Sequence, residues 1–410
     1  MKKLLLTSLL LVSSLTAQVQ QKIFFSSATF LPSDSSFTVF YAYSIGYNQL
    51  VFEKKDESYY AALNISLEIL DDKNSLVKRL FDSKQLTVKN YEETNDASKQ
   101  INGLINFQLP EGKYSIQTII TDLNSKRELK PRPDSVVIKR GKIFQPLVIG
   151  KSIECGQTKY PGFINLGGSV PFTDDPIDLI IPILGNGIET IKVAVLNNGE
   201  EVYHSEVKDK FVSTLTLELC NEEIIVKTTD KHLKTTNFIV KNINEKLGEG
   251  MVQLTVEAGG EKKIFSQYVV WLNKPFSLTN TESAIKSLKY IEDKKAIDKM
   301  LDNDEEMYSS ILKEYWKKYD PTPSTKFNPL MGEYYGRVDY AAKNFKPIDQ
   351  PTGINTDRAK TYIKYGKPLK VERYSNGSGK VVETWHYENP GRKFIFVDKE
   401  GTGNYILQNG

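Results

Sequence analysis

Between residues 18 and 145 large apolar side chains recur at every second position. Phe37, Val39, Tyr41, Tyr43 and Ile45 form one such run, and Leu63, Ile65, Leu67 and Ile69 form another. Ile101, Ile105, Phe107 and Leu109 follow, then Tyr114, Ile116, Thr118 and Ile120. Successive side chains of an extended strand point to opposite faces, so each run predicts a half-buried strand. Asp, Asn, Pro and Gly at 71–74, 110–112 and 122–125 supply the turns between them. Short strands at this spacing predict a β-sandwich. A second series covers 146–276, with strands expected at 179–184, 191–196, 211–219, 224–226, 251–256 and 265–272. Asn197, Asn198 and Gly199 between two of them signal a hairpin, because Asn and Gly accept positive φ. The short connection at 140–146 predicts two sandwiches placed end to end with limited freedom.

The period changes at Ser277. Ala284, Ile285, Leu288 and Ile291 recur at helical spacing, as do Ile297, Met300 and Leu301. Thr279 and Glu282 have the spacing of a capping box for that first helix. Met307, Ile311, Leu312, Tyr315 and Trp316 mark a further helix, which Pro321 and Pro323 must end near Asp320. Asn328 and Pro329 restart a helix with a cap and a proline at the first position, and Leu330, Tyr334, Val338 and Ala341 form its apolar stripe. Strands are expected at 381–387, 394–397 and 404–407, while 357–365 fits helix and strand equally. The expected fold is mostly β with a C-terminal α+β module. Two β-sandwich (Ig-like) domains, 18–145 and 146–276, precede a helical segment and a small sheet in 277–410.

The first 17 residues stand apart. Lys2 and Lys3 precede a mostly apolar run from Leu4 to Val12, and small residues lead to Ala17. That is the layout of a secretory signal peptide, and the run is too short for the roughly 20 residues a membrane span needs. Export through the Sec pathway is therefore expected, to the periplasm, the outer membrane or the outside. No later segment predicts a transmembrane helix. A net charge of +3 with no stripe of Lys and Arg argues against nucleic acid as a partner. Export makes a disulfide between Cys155 and Cys220 possible, and two buried thiols fit the sequence as well.

Candidate chemistry is sparse. The two Cys and the three His, His204, His232 and His386, lack metal-ligand spacing. Asp174 and Asp175 precede Pro176 and read as a turn. No nucleophile elbow, HExxH or phosphate loop occurs. Glu333, Asp357 and Glu383 could in principle flank a glycosidic bond, but no spacing brings them together. No catalytic residue, metal or cofactor is assigned.

Several short motifs crowd the last quarter. Trp316 precedes Asp320-Pro321-Thr322-Pro323, and Tyr334-Tyr335 precedes Arg337. Gly353-Ile354-Asn355-Thr356-Asp357-Arg358 is followed by Tyr365-Gly366-Lys367-Pro368, by Glu383, Trp385 and Tyr387, and by Phe394, Phe396 and Asp398. Their order and spacing over 277–410 resemble the GWxTD domain of exported bacterial proteins. The family has no established activity, so the resemblance implies a module rather than a reaction. Ile354 stands where the family has Trp, which implies a packing role there. By alternation Glu383, Trp385 and Tyr387 share one strand face, and a buried Glu383 requires a partner, either Arg337 or Arg358. Thr356 to Arg358 and the turn from Gly366 to Pro368 are then the motif positions left exposed for function. The expectation is a non-catalytic envelope or secreted protein, with the C-terminal domain docking an envelope protein partner. The alternative is a carbohydrate-binding or glycan-acting protein using exposed aromatics and carboxylates.

Overall fold

The computed structural model describes residues 24–96, 99–165, 169–185, 187–230, 233–388 and 391–409. The expected signal peptide and His232 lie outside these residues. The first β region contains β1 (Phe24–Pro32), β2 (Phe37–Gly46), β3 (Glu53–Lys55), β4 (Ser58–Leu70) and β5 (Leu76–Val88). After a single helical turn, α1 (Tyr91–Thr94), come β6 (Gln100–Leu109), β7 (Gly112–Asp122), β8 (Glu128–Leu129) and β9 (Asp134–Ile138). One sheet has the order β1-β2-β6, and the other runs β3-β4-β7-β8 with β5 on β4 and β9 on β7. The alternation in sequence becomes one core. Val39, Tyr41, Tyr43 and Ile45 of the first sheet meet Leu63, Ile65, Leu67 and Ile69 of the second.

The second β region comprises β10 (Leu147–Cys155), β11 (Thr158–Phe163), β12 (Ser169–Pro171), β13 (Asp178–Ile183), β14 (Ile191–Asn197) and β15 (Glu200–Val207). It continues with β16 (Lys210–Cys220), β17 (Glu223–Thr229), β18 (Thr235–Val240), β19 (Gly250–Ala258) and β20 (Glu261–Val270). It is two-layered, but one layer closes on itself as the ring β10-β11-β17-β16-β18-β13. The other layer is the sheet β12-β20-β19-β14-β15, and Leu179, Ile181 and Phe238 of the ring share a core with Val193, Val195 and Val256 of the sheet. Asn198 (φ 52°) and Gly199 (φ 88°) form the two-residue hairpin turn between β14 and β15. Cys155 and Cys220 are bridged, with their Cα atoms 6.0 Å apart.

The two β regions do not meet end to end as the short connection suggested. Leu31, Phe40 and Ala42, on the outer face of the first sheet, pack against Leu147, Ile149, Ile180, Leu215 and Leu217 of the ring. The first sheet is thus apolar on both faces. Alternation on a single face identified only one of them.

The last region holds α2 (Thr281–Ser287), α3 (Lys294–Leu301), α4 (Tyr308–Lys317), α5 (Pro329–Asn344) and α6 (Asp357–Tyr365). An antiparallel sheet follows: β21 (Lys370–Ser375), β22 (Val381–His386), β23 (Lys393–Asp398) and β24 (Tyr405–Asn409). Segment 357–365 is therefore helical. The cap of α2 is Asn280 rather than Thr279: the Asn280 side-chain Oδ1 accepts the Ser283 amide at 2.8 Å. Thr279 instead donates to Phe276 O at 2.6 Å, which closes the preceding turn. Ile291, Met307 and Leu330, assigned to buried stripes, are 42%, 49% and 40% exposed. Each sits at or just outside a helix end, where the stripe has turned away from the core. Among the described residues no helix is long and apolar enough to cross a membrane.

Candidate functional site

Gly353, Thr356, Arg358, Glu383, Trp385 and Asp398 build one internal brace. Thr356 caps α6 by accepting the Ala359 amide at 3.2 Å, and its hydroxyl donates to Gly353 O at 2.8 Å. A Cβ on Gly353 would lie 2.3 Å from the Phe345 carbonyl carbon, so the end of α5 passes too close for any side chain there. The cap aims Arg358 inward. Its guanidinium donates to both Glu383 oxygens, at 3.2 and 3.4 Å, and to Gly403 O at 3.0 Å. It also lies 4.0 Å from the Tyr405 ring centroid and 5.1 Å from that of Phe345. Glu383 in turn accepts the Trp385 indole N–H at 3.3 Å. Asp398 accepts the amides of Gly401 and Gly403, both at 2.9 Å, and so shapes the turn that offers Gly403 O to Arg358.

Of the two arginines considered for Glu383, Arg358 is the partner. Arg337 pairs with Glu333 one helical turn away and bonds Ile363 O at 3.4 Å. Asp357 accepts the Leu407 amide at 3.0 Å and Lys360 Nζ at 3.0 Å. Burial alone would raise its carboxyl, but these bonds hold it below the usual aspartate range. Glu333, Asp357 and Glu383 therefore each serve a different partner and do not converge. The expectation that Thr356 to Arg358 stays exposed is wrong for two of the three. Thr356 and Arg358 are buried, because an N-cap and a paired guanidinium gain their bonds only by facing the domain interior.

The other motifs order the helices. Trp316 is buried among Tyr315, Tyr334 and Tyr335. Tyr334 donates to Ser287 O at 2.5 Å and Tyr335 to Ala284 O at 3.0 Å, which ties α5 to α2. Asp320 accepts the Thr322 amide at 2.9 Å in the turn that carries the exposed Pro321 and Pro323. Asn328, past that turn, donates to Trp316 O at 2.9 Å and caps α5. Gly366 (φ 79°) ends α6 in a conformation suited to glycine. Its carbonyl accepts the Tyr387 hydroxyl at 2.9 Å. Tyr365 packs on Tyr387 and Phe394, and the half-buried Pro368 leads into β21.

These elements also frame a concavity. An open groove lies where α4, α5 and the end of α6 meet. Trp316 and Tyr334 form its floor, and Ile291, Tyr319 and Leu330 its apolar rim. Tyr319 is 49% exposed, and the other rim residues nearly as much. Glu292, Glu333, Arg337 and Lys364 add charge of both signs. Glu292 accepts the Tyr315 hydroxyl at 2.8 Å, and burial followed by this bond keeps that phenol protonated. Among the motif residues proposed from sequence, Trp316, Tyr334 and Arg337 line this groove.

Residues 255–409 match the profile of the GWxTD domain. This chain carries a GWxTD domain at its C-terminal end. No curated protein matches the chain. The matched segment begins inside β19, upstream of the boundary at Ser277 drawn from periodicity. The geometry gives a reason. Trp271, just past β20, packs on Phe327 with ring centroids 5.1 Å apart, and Phe172 stands 5.9 and 5.3 Å from the two. Gly332 leaves room for the Trp271 ring, which a Cβ there would approach to 3.2 Å. Asp339 accepts the amides of Phe276 and Ser277. The helices of the GWxTD domain are thus clasped to the sheet that contains β19 and β20, where the match begins. Sequence reasoning missed Trp271, Phe327 and Asp339, because residues that join two regions follow the period of neither. It also missed the role of Asp398, for which the following Gly401 and Gly403 were the available signal.

Proposed function

We propose that the chain is an exported, non-catalytic protein whose GWxTD domain docks a protein partner through the groove between α4, α5 and α6. The carrying observation is that this groove combines the exposed Ile291, Tyr319 and Leu330 with the buried Trp316 and Tyr334 in one lining. A rigid aromatic floor with an apolar rim and an arginine has the composition of an interaction hot spot. Ile363 and Lys364 of α6 form one wall of the groove, so the cap and ion pair that seat α6 also hold that wall, and the packed β regions form the arm that carries it. The Cys155–Cys220 bridge supports export, since disulfides persist in oxidising compartments. The partner is then a protein of the cell envelope or its exterior, and the chain works in the periplasm, at the outer membrane or outside.

The test is crosslinking in cells with the full chain and with Ile291→Asp, Leu330→Asp and their double variant. All three keep the brace and should melt as the parent does. The parent should crosslink to a discrete envelope protein, and the double variant should lose that product. An unchanged crosslink in the double variant would refute docking through this groove.

A further inference from the structure

The ring of the second β region is closed unevenly. Among the described residues β11 and β17 pair only at Gly162 and Ile225, whereas every other junction of the ring pairs three residues or more. The Cys155–Cys220 bridge lies across this same junction. Cys155 ends β10 and Cys220 ends β16, so the bond ties the tip of the β10–β11 hairpin to the tip of the β16–β17 hairpin. Those two hairpins are neighbours in the ring only through β11 and β17. The Asn221 side-chain amide also donates from one tip to Glu154 O on the other, at 3.3 Å.

The bridge is within reach of solvent. Both cysteines are half-buried, and Glu154, Gly156, Asn221 and Glu222 beside them are exposed. Asn221 and Glu222 turn the second tip with φ of 49° and 66°. That conformation is uncommon for a glutamate, so the strands and the bridge hold the turn rather than its own preference. The same junction carries the hold on the first β region. Phe163 of β11, with Ile224 and Val226 of β17, is buried in one cluster with Leu31, Phe40 and Ala42 of the first sheet. Strand β17 also runs beside β6 of that sheet.

We propose that the Cys155–Cys220 bridge is a redox latch: a dithiol reductant opens it, the β11–β17 junction parts, and the ring loosens its hold on the first β region. One thiolate of the dithiol attacks a sulfur of the bridge, breaks the S–S bond and releases the other cysteine as a thiolate. The second sulfur of the reagent then attacks the mixed disulfide and releases the first cysteine. The dithiol leaves as a disulfide, and Cys155 and Cys220 take up the two protons it gives up. Oxidised, the two β regions form one stiff arm. Reduced, the first region shifts on the second, because the strands it rests on are then joined by a single backbone pair.

The experiment is amide hydrogen exchange of the full chain, oxidised and after dithiothreitol without denaturant. Two reactive thiols should appear. Amides of β11 and β17 should then exchange roughly tenfold faster, as local opening predicts. Those of β13 and β18, which meet on the opposite side of the ring, should keep their rates. The double variant Cys155→Ser with Cys220→Ser should show the same pattern with no reductant. A dye that binds apolar surface should brighten on reduction, as Phe40 and Ile224 are uncovered. Thiols that appear only in denaturant, or junction amides that do not respond, would overturn the latch. Faster exchange spread evenly over the ring would also overturn it and leave the bridge a general staple. An unchanged dye signal with a parted junction would overturn the loosened hold on the first region.

Discussion

Arg358 is the residue on which the brace depends. Its guanidinium joins α6 to β22 through Glu383, to the β23–β24 turn through Gly403 O, and to the aromatic core through Tyr405 and Phe345. The two charged side chains of the pair are 11% and 10% exposed. Removing one partner leaves the other charge desolvated, which costs about 3–5 kcal/mol for a buried pair. Arg358→Met and Glu383→Leu should each lower stability by about that much in urea unfolding. The double variant should recover part of the loss, because no orphan charge remains. Arg358→Lys should not rescue, since an ammonium cannot hold Glu383 and Gly403 O at once while stacking on Tyr405. Lys360→Ala, which breaks an exposed pair, should stay within about 1 kcal/mol of the parent. Single variants that also stay within about 1 kcal/mol would show that Arg358 is not a brace.

Among the elements, α6 shows how local sequence and long-range contacts combine. Thr356 starts it, Gly366 ends it, and Asp357 in its first turn accepts the Leu407 amide of β24. The folded Asp357 carboxyl lies below its usual value, so its contribution is complete above the ordinary aspartate pKa. That contribution is lost as the pH falls through the depressed folded value. Acidification from neutrality to about pH 3 should therefore lower the melting temperature of the parent more than that of Asp357→Asn, whose amide oxygen can still accept from Leu407. Parallel pH profiles for the two would refute this link. The element also marks what sequence can reveal. Pro at 329 and the Trp316–Asp320 stop were readable because they act within one turn of chain. The strand at β21 was not, since Val371 and Tyr374 are exposed on an edge and show no apolar alternation. Closure of the six-strand ring was equally hidden. It rests on pairings such as that of Gly162 with Ile225, which no local pattern encodes. The ion pair of Glu383 was foreseeable from burial cost, but the choice of Arg358 over Arg337 depends on the inward aim that the Thr356 cap gives α6.

Across the whole molecule, the family boundary and the helical boundary disagree, and the disagreement has a physical cause. The GWxTD domain needs its own helices and sheet, but Phe327, between α4 and α5, has its ring covered by Trp271, which lies upstream of the helices yet inside the family match, and by Phe172, which lies outside it. The Phe276 and Ser277 amides on Asp339 pin the linker at the same junction. A chain cut at Ser277 would keep the brace yet expose Phe327 and free the end of α5. The fragment 277–410 should therefore melt below the same domain in the full chain, while a fragment from 146 should retain the clasp and match it. Trp271→Ala and Phe327→Ala should reproduce the loss one side chain at a time. A double-mutant cycle between them should show a coupling of about 0.5–1.5 kcal/mol, the usual worth of an aromatic pair beyond area burial. Calorimetry offers the separate sign: in Trp271→Ala the GWxTD domain should melt as its own lower transition. If fragment 277–410 melted at the temperature of the full chain, with no coupling between Trp271 and Phe327, the domain would be autonomous. The start of the family match inside β19 would then need another explanation.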